Sequence, residues 1–309
     1  MAASRLPAVL CYLLLTTISV SFAAPPCPSS PSILIVMLWP LLAIAADLSH
    51  CRVAAAPPQR PLVIDGGGGG EIAADAGWID PRILGGQMLD FTTKTRGEPL
   101  NVIISGASDP FVLTDEGFKA YASSIGYAAE CMGMHIGNIH LANLGDGDGR
   151  KPEGLLFRQH YRVPRWGTCW ESLAGGQHFR AWKQNGTEGN TGAWFLGASK
   201  EEDSRRHHTI VANGYNLGRD WLVEQALVAS ASSTSVWVPY EDLSPETMRV
   251  LLRTEPGWPW PGTGGERLQW RAEVQWEWGL LEPGKKGVNH GIAQDGRTAV
   301  LTILRVPSD

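Results

Sequence analysis

Runs of basic residues are missing from this 309-residue sequence. Against 31 Asp and Glu stand 26 Lys and Arg, a net charge of -5, and basic residues go no further than pairs such as Arg205-Arg206 and Lys285-Lys286. A nucleic-acid partner needs a positive patch to neutralise phosphates, so the balance argues against one. Motifs of hydrolytic chemistry are missing too. There is no Gly-x-Ser-x-Gly elbow, and Ser105 in Ile104-Ser105-Gly106 reads as a turn residue. No His-Glu-x-x-His spacing occurs. The glycines Gly66 to Gly70 lack a following Gly-Lys-Ser/Thr, so they form a flexible spacer and not a phosphate cradle. Glu273 and Glu277 are set about 13 Å apart along one strand at ~3.3 Å per residue, too far for either glycosidase geometry.

Cysteine is scarce, with five in all. Cys11 falls in the first apolar run, and Cys27 and Cys51 flank a second. Cys131 and Cys169 are left alone in the folded region, which predicts a disulfide between them. In an oxidising compartment it would stabilise by roughly 3–4 kcal/mol.

What the sequence does contain begins with a secretory signal over residues 1–24. Arg5 supplies the charge, Leu6 to Val20 the apolar run, and Ser21-Phe22-Ala23-Ala24 the small residues for cleavage. The second run, Ile33 to Ala46, is short for a ~30 Å hydrocarbon core and contains Pro40. It reads as a membrane anchor, a second signal starting at Met37, or the product of a start codon placed too early. All three lead to the secretory pathway, and only the first keeps the protein on a membrane. Residues 25–85 are this segment plus an Ala/Pro/Gly-rich linker. Asn185-Gly186-Thr187 is a glycosylation sequon in a turn-like stretch, which makes Asn185 the expected acceptor.

Periodic structure is expected over 86–309. Leu100 to Ile104 reads as a strand. Thr114 reads as the N-cap of a helix that carries Phe118, Tyr121, Ala122 and Ile125 on one side and stops at Gly126. His135 to Leu141 and Leu156 to Val163 are strand-like. Phe179 to Trp182 and Ala193 to Leu196 flank a polar turn as a hairpin. His208 to Val211 reads as a short strand, and Leu217 to Val228 as an amphipathic helix. Residues 229–266, with their serines and Pro256-Gly257-Trp258-Pro259-Trp260-Pro261-Gly262, read as an irregular insertion. Trp270, Ala272, Val274, Trp276 and Trp278 then alternate with charged residues, predicting a strand with one apolar face. Ala299 to Val306 closes the series. Strands interleaved with two or more helices, without βαβ alternation, predict a single α+β domain with a mainly antiparallel sheet.

Several short motifs carry a resemblance. Gly176-Gln177-His178-Phe179-Arg180-Ala181-Trp182, then Ala193-Trp194-Phe195-Leu196-Gly197-Ala198-Ser199, His207-His208 and Arg219-Asp220-Trp221-Leu222 follow in the order seen in the LssY C-terminal domain family. Pro99-Leu100-Asn101-Val102 is similar to that family's first strand. With its Gly284-Lys285-Lys286-Gly287 and Asn289-His290-Gly291 tail, the domain looks like secreted proteins of mushroom-forming fungi. Lys200 and Glu201 stand where the bacterial family has an aspartate. The resemblance implies a compact α+β domain and carries over no activity.

Candidate functional residues are His178, Arg180, His208, Arg219, Asp220 and His290. No cofactor is expected, with zinc the alternative, since imidazoles converging with a carboxylate could bind it. In a strand His207 and His208 face opposite sides, and His208, sharing a face with Ile210, would be the one to join His178. Cys131 and His135 also have ligand spacing, which a disulfide would remove. Asp146, Asp148 and Glu153 depart from the EF-hand pattern at Arg150 and Lys151 and read as a solvated turn. Trp258 and Trp260 could stack on sugars, so extracellular polysaccharide is one candidate for a partner that the sequence leaves open, whereas Trp270, Trp276 and Trp278 read as core. The resulting expectation is a secreted binding or interaction module. The alternative is a metal-assisted hydrolase centred on His178, His208 and Asp220.

Overall fold

In the computed structural model the described residues are 77–307, apart from 134–137, 164–165, 233, 255–256, 258–260 and 262. The signal, the second apolar run, Cys11, Cys27, Cys51, His135, Trp258 and Trp260 lie outside them. In chain order the elements are β1 (Val102–Ile104), α1 (Asp115–Ser124), β2 (Tyr127–Ala129), β3 (Leu141–Asn143), β4 (Arg150–Pro152), β5 (Leu155–Gln159) and α2 (Gly167–Ala174). There follow β6 (Gly176–Asn185), β7 (Asn190–Glu201), α3 (Gly214–Ala231), β8 (Ser235–Pro239), α4 (Pro245–Leu252), β9 (Gly265–Trp278) and β10 (Arg297–Arg305).

Eight strands form one sheet in the order β2-β5-β6-β7-β1-β10-β9-β8, and β3 pairs with β4 as a separate ribbon. Only β1 and β10 run parallel; every other neighbouring pair is antiparallel. This is the α+β architecture that the sequence predicts.

Period-two alternation divides the sheet into two buried faces. Val102, Ile104, Phe179, Ala181, Trp194, Leu196, Ala299 and Leu301 pack on one side with Phe118 and Tyr121 of α1 and Leu222 and Ala226 of α3. Ile103, Trp182, Phe195 and Val300 point the other way, against Met88, Ala142, Leu144, Leu280 and Leu281. Phe118 stacks on Trp194 with centroids 4.8 Å apart, so α1 is docked by an aromatic pair. Thr114 caps α1 by accepting from the Gly117 amide at 3.0 Å. On α3, Gly218 rides directly over the sheet, since a Cβ there would stand 2.3 Å from Ser199 Cα.

Some expectations are corrected. Residues 229–266 are not an irregular insertion: they hold the end of α3, the edge strand β8 and α4, which Ser244 caps. Ordered structure starts before Gly86, with Ile79 buried and a 3-10 turn at Pro81–Leu84. His207 and His208 are not in a strand. Both take left-handed backbone angles in the turn after β7. Trp270 is core, but Trp278, at the end of β9, is 63 % exposed. Asp146 is fully buried, not solvated. Lys151 Nζ lies 2.5 Å from its carboxylate, which also accepts from the Asn185 and Gly186 amides. Cys131 and Cys169 are joined by a disulfide. No helix among the described residues is long and apolar enough to cross a membrane.

Candidate metal centre

Away from the Leu280–Leu281 side, the second face of the sheet is polar yet buried. His178 and Arg180 of β6 share it with Arg158 of β5 and with Ser199 and Glu201 of β7, because all stand at alternate positions out of phase with Phe157, Phe179 and Ala198. Charged groups without water are tolerated only in company. Here the company comes from segments far apart in the chain.

Residues 88–100 fold back on themselves. The Asp90 amide donates to the Glu98 carbonyl at 2.9 Å, Leu100 to Met88 at 2.9 Å, and Thr93 to Arg96 at 2.9 Å across the turn. Gly97 permits this, since a Cβ there would lie 1.8 Å from the Asp90 carbonyl oxygen. The fold-back sets Asp90 beside Glu98, and Asp90 Oδ1 accepts from the Glu98 amide at 2.6 Å and from Thr92 Oγ1 at 2.9 Å. The β3–β4 ribbon delivers His140. Its backbone amide donates to Glu153 Oε2 at 2.6 Å, and Glu153 Oε1 accepts from Arg180 Nη1 at 2.5 Å.

Asp90, Glu98 and His140 are all buried, and one ligand atom of each lies within 4.8 Å of the other two. His140 Nδ1 is 2.8 Å from Asp90 Oδ2, and Glu98 Oε1 accepts from Asn289 Nδ2 at 3.2 Å. Burial, then the Asp90 carboxylate, push Glu98 up to about 7, while His140 and Arg180 act the other way. Two carboxylates and an imidazole in one water-poor space are a donor set for a divalent cation.

Next to it lies a second cluster of buried charges. Arg158 Nη1 bridges Glu201 Oε2 at 2.8 Å and Glu171 Oε2 at 3.0 Å. His178 Nε2 and His208 Nδ1 each stand 3.4 Å from the Glu201 carboxylate. Burial pushes His178 down to about 3, so at neutral pH it is an uncharged imidazole and the permanent charge facing Glu201 is Arg158. Burial by itself would raise Glu201; its cationic surroundings outweigh that and hold it well below the usual carboxylate range. Glu201 raises His208. Ser199 Oγ lies 3.2 Å from His178 Nδ1, a Ser-His-Glu order, but Ser199 is 0 % exposed, so its hydroxyl is not open to a substrate.

The predicted site residues therefore divide. His178 and His208 meet at Glu201, Arg180 holds Glu153, and His290 stands in a strained left-handed turn beside Asn289. Arg219 and Asp220 do not join them. Arg219 clamps α3 to the sheet through Asp295 at 2.6 Å and a ring contact with Trp276, and Asp220 is half-exposed on that outer cluster. The trio His178, His208 and Asp220 thus has no common centre. Asn185 is exposed at the end of β6. Asp90, Glu98 and His140 were missed from sequence, although an acid wedged between Leu89 and Phe91 was a visible sign of a buried charge.

Comparison with known proteins adds no assignment. No family model, curated protein or solved structure matches the chain.

Proposed function

We propose that the protein is an extracellular binding module whose Asp90, Glu98 and His140 hold one divalent cation, zinc being the ion best suited to mixed nitrogen and oxygen donors. The observation that carries this is the mutual approach of the three donor atoms within 4.8 Å. Supporting it, the outer contacts are those of a ligand shell: Thr92 on Asp90 and Asn289 on Glu98. The three side chains come from the fold-back and from the ribbon, so an ion here ties those two pieces together. Their burial favours this binding and stabilising role over hydrolysis, which needs an open coordination position facing a substrate. The disulfide fits an oxidising compartment.

The test is equilibrium dialysis of the EDTA-stripped full chain against zinc, with metal counted by mass spectrometry. About one equivalent in the wild type, lost in Glu98→Gln and His140→Ala variants that keep their near-UV circular dichroism, is the expected result. Zinc absent from the wild type, or retained in both variants, overturns the proposal.

A further inference from the structure

A cleft of about 580 Å³ opens between the start of β6, the end of β7, the C-terminus of α2 and Trp221 of α3. That volume suits a small molecule. Gln177, the second residue of β6, lines it. The residue is 7 % exposed, and its Oε1 is buried without a hydrogen-bond partner among the described residues. A buried carbonyl lacking a donor is costly and uncommon, so this one calls for a donor from outside. Its backbone amide is already taken by Gln159 Oε1 at 3.2 Å.

The charges around the cleft select the donor. Glu201 is matched by Arg158, Glu202 by Arg206 at 3.0 Å and Asp203 by Arg205 at 3.2 Å. Paired carboxylates give little net pull on a cation and little push on an anion, and Glu201 turns its carboxylate to the Arg158 face of the sheet. Lys200 has no ion pair among the described residues and offers hydrogen-bond donors. Trp221, held edge-on by Tyr127 with centroids 5.1 Å apart, supplies an apolar aromatic wall. A hydrocarbon ligand would leave Gln177 unsatisfied, and the paired carboxylates select neither sign of charge, so a neutral ligand rich in hydroxyls and flat on one C–H face fits.

We propose that this cleft binds a neutral sugar unit, stacked on Trp221, with one hydroxyl donating to Gln177 and another accepting from Lys200. The inference stands apart from the metal centre. It also moves the sugar contact away from Trp258 and Trp260, which lie outside the described residues.

The probes are methyl β-glucoside, methyl β-galactoside, methyl α-mannoside and methyl N-acetyl-β-glucosaminide. Binding to the full chain is read by saturation-transfer NMR and calorimetry in EDTA, so that failure of the metal proposal does not affect the result. At least one glycoside is expected to bind at or below about 1 mM, with Gln177→Leu weakening it about tenfold or more. Lys200→Met, on a half-exposed side chain, is expected to weaken it severalfold and leave the fold intact. No binding of any probe up to about 20 mM overturns the proposal. So does affinity unchanged in both variants. Should Gln177→Leu lose its near-UV circular dichroism, Lys200→Met decides alone, and unchanged affinity there overturns the proposal.

Discussion

Replacing Arg158 with methionine tests how the buried polar layer is held together. The guanidinium contacts Glu171 and Glu201, whose side chains are 0 % and 8 % exposed, so its removal strands two carboxylates away from water. Breaking a buried pair from one side costs about 3–5 kcal/mol, against about 5–15 kcal/mol for a whole domain. Burial already pushes Glu171 up to about 7 with Arg158 in place. Without it, Glu171 titrates higher still and Glu201 loses one of the groups that hold it low. The folded-state Glu171 stands above the unfolded ~4.3, so the folded protein binds a proton that the unfolded chain has released, and stability falls as pH rises. The deficit should be near its full size at about pH 8 and smaller by at least about 1 kcal/mol at about pH 5. Urea unfolding followed by tryptophan fluorescence at both pH values measures this. Adding Glu171→Gln to Arg158→Met should recover part of the loss. A deficit under about 1 kcal/mol at pH 8, or the same deficit at both pH values, would refute the reasoning.

Removing the disulfide with Cys131→Ser and Cys169→Ser frees a loop of 38 residues, worth about 4 kcal/mol in the chain-entropy relation and roughly 10 °C in calorimetric Tm; an unchanged Tm would contradict this. Gly218→Ala sets a methyl 2.3 Å from the Ser199 backbone and should cost about 1–3 kcal/mol in urea, whereas Ala at the exposed Gly133, with nothing near its Cβ, should not clash and should show only the cost of its left-handed backbone. Because His178 is held neutral down to about 3, the unfolded chain alone takes up its proton as pH falls from ~6.5, so stability drops through that window. His178→Gln should flatten that slope, and an identical slope in acid unfolding would show that another group carries it.

How much could be read in advance depended on how local the cause was. Thr114 and the Phe118, Tyr121, Ala122, Ile125 spacing marked α1 because a cap and a helical face are contained within one segment. The hairpin of β6 and β7 was visible for the same reason. By contrast α4, with Ser244 as cap and Pro245 at its first position, was hidden by the proline-rich stretch after it. Trp278 has the correct parity for the core face of β9, yet the sheet stops covering it, and parity carries no information about where cover ends.

The sequence by itself determined the α+β class, the central hairpin, the two cysteines that pair and the net negative charge without basic runs, since each follows from composition or short-range pattern. Tertiary structure alone decided which polar groups meet. Asp90 and Glu98 face each other only because Gly97 lets the chain fold back, and His140 reaches them on a ribbon more than forty residues away. His178 and His208 were drawn to Glu201, a neighbour sequence reading passed over, and Asp220 was drawn away by Arg219. Buried charges choose partners by distance in space and by the cost of lost water, and neither quantity is written along the chain.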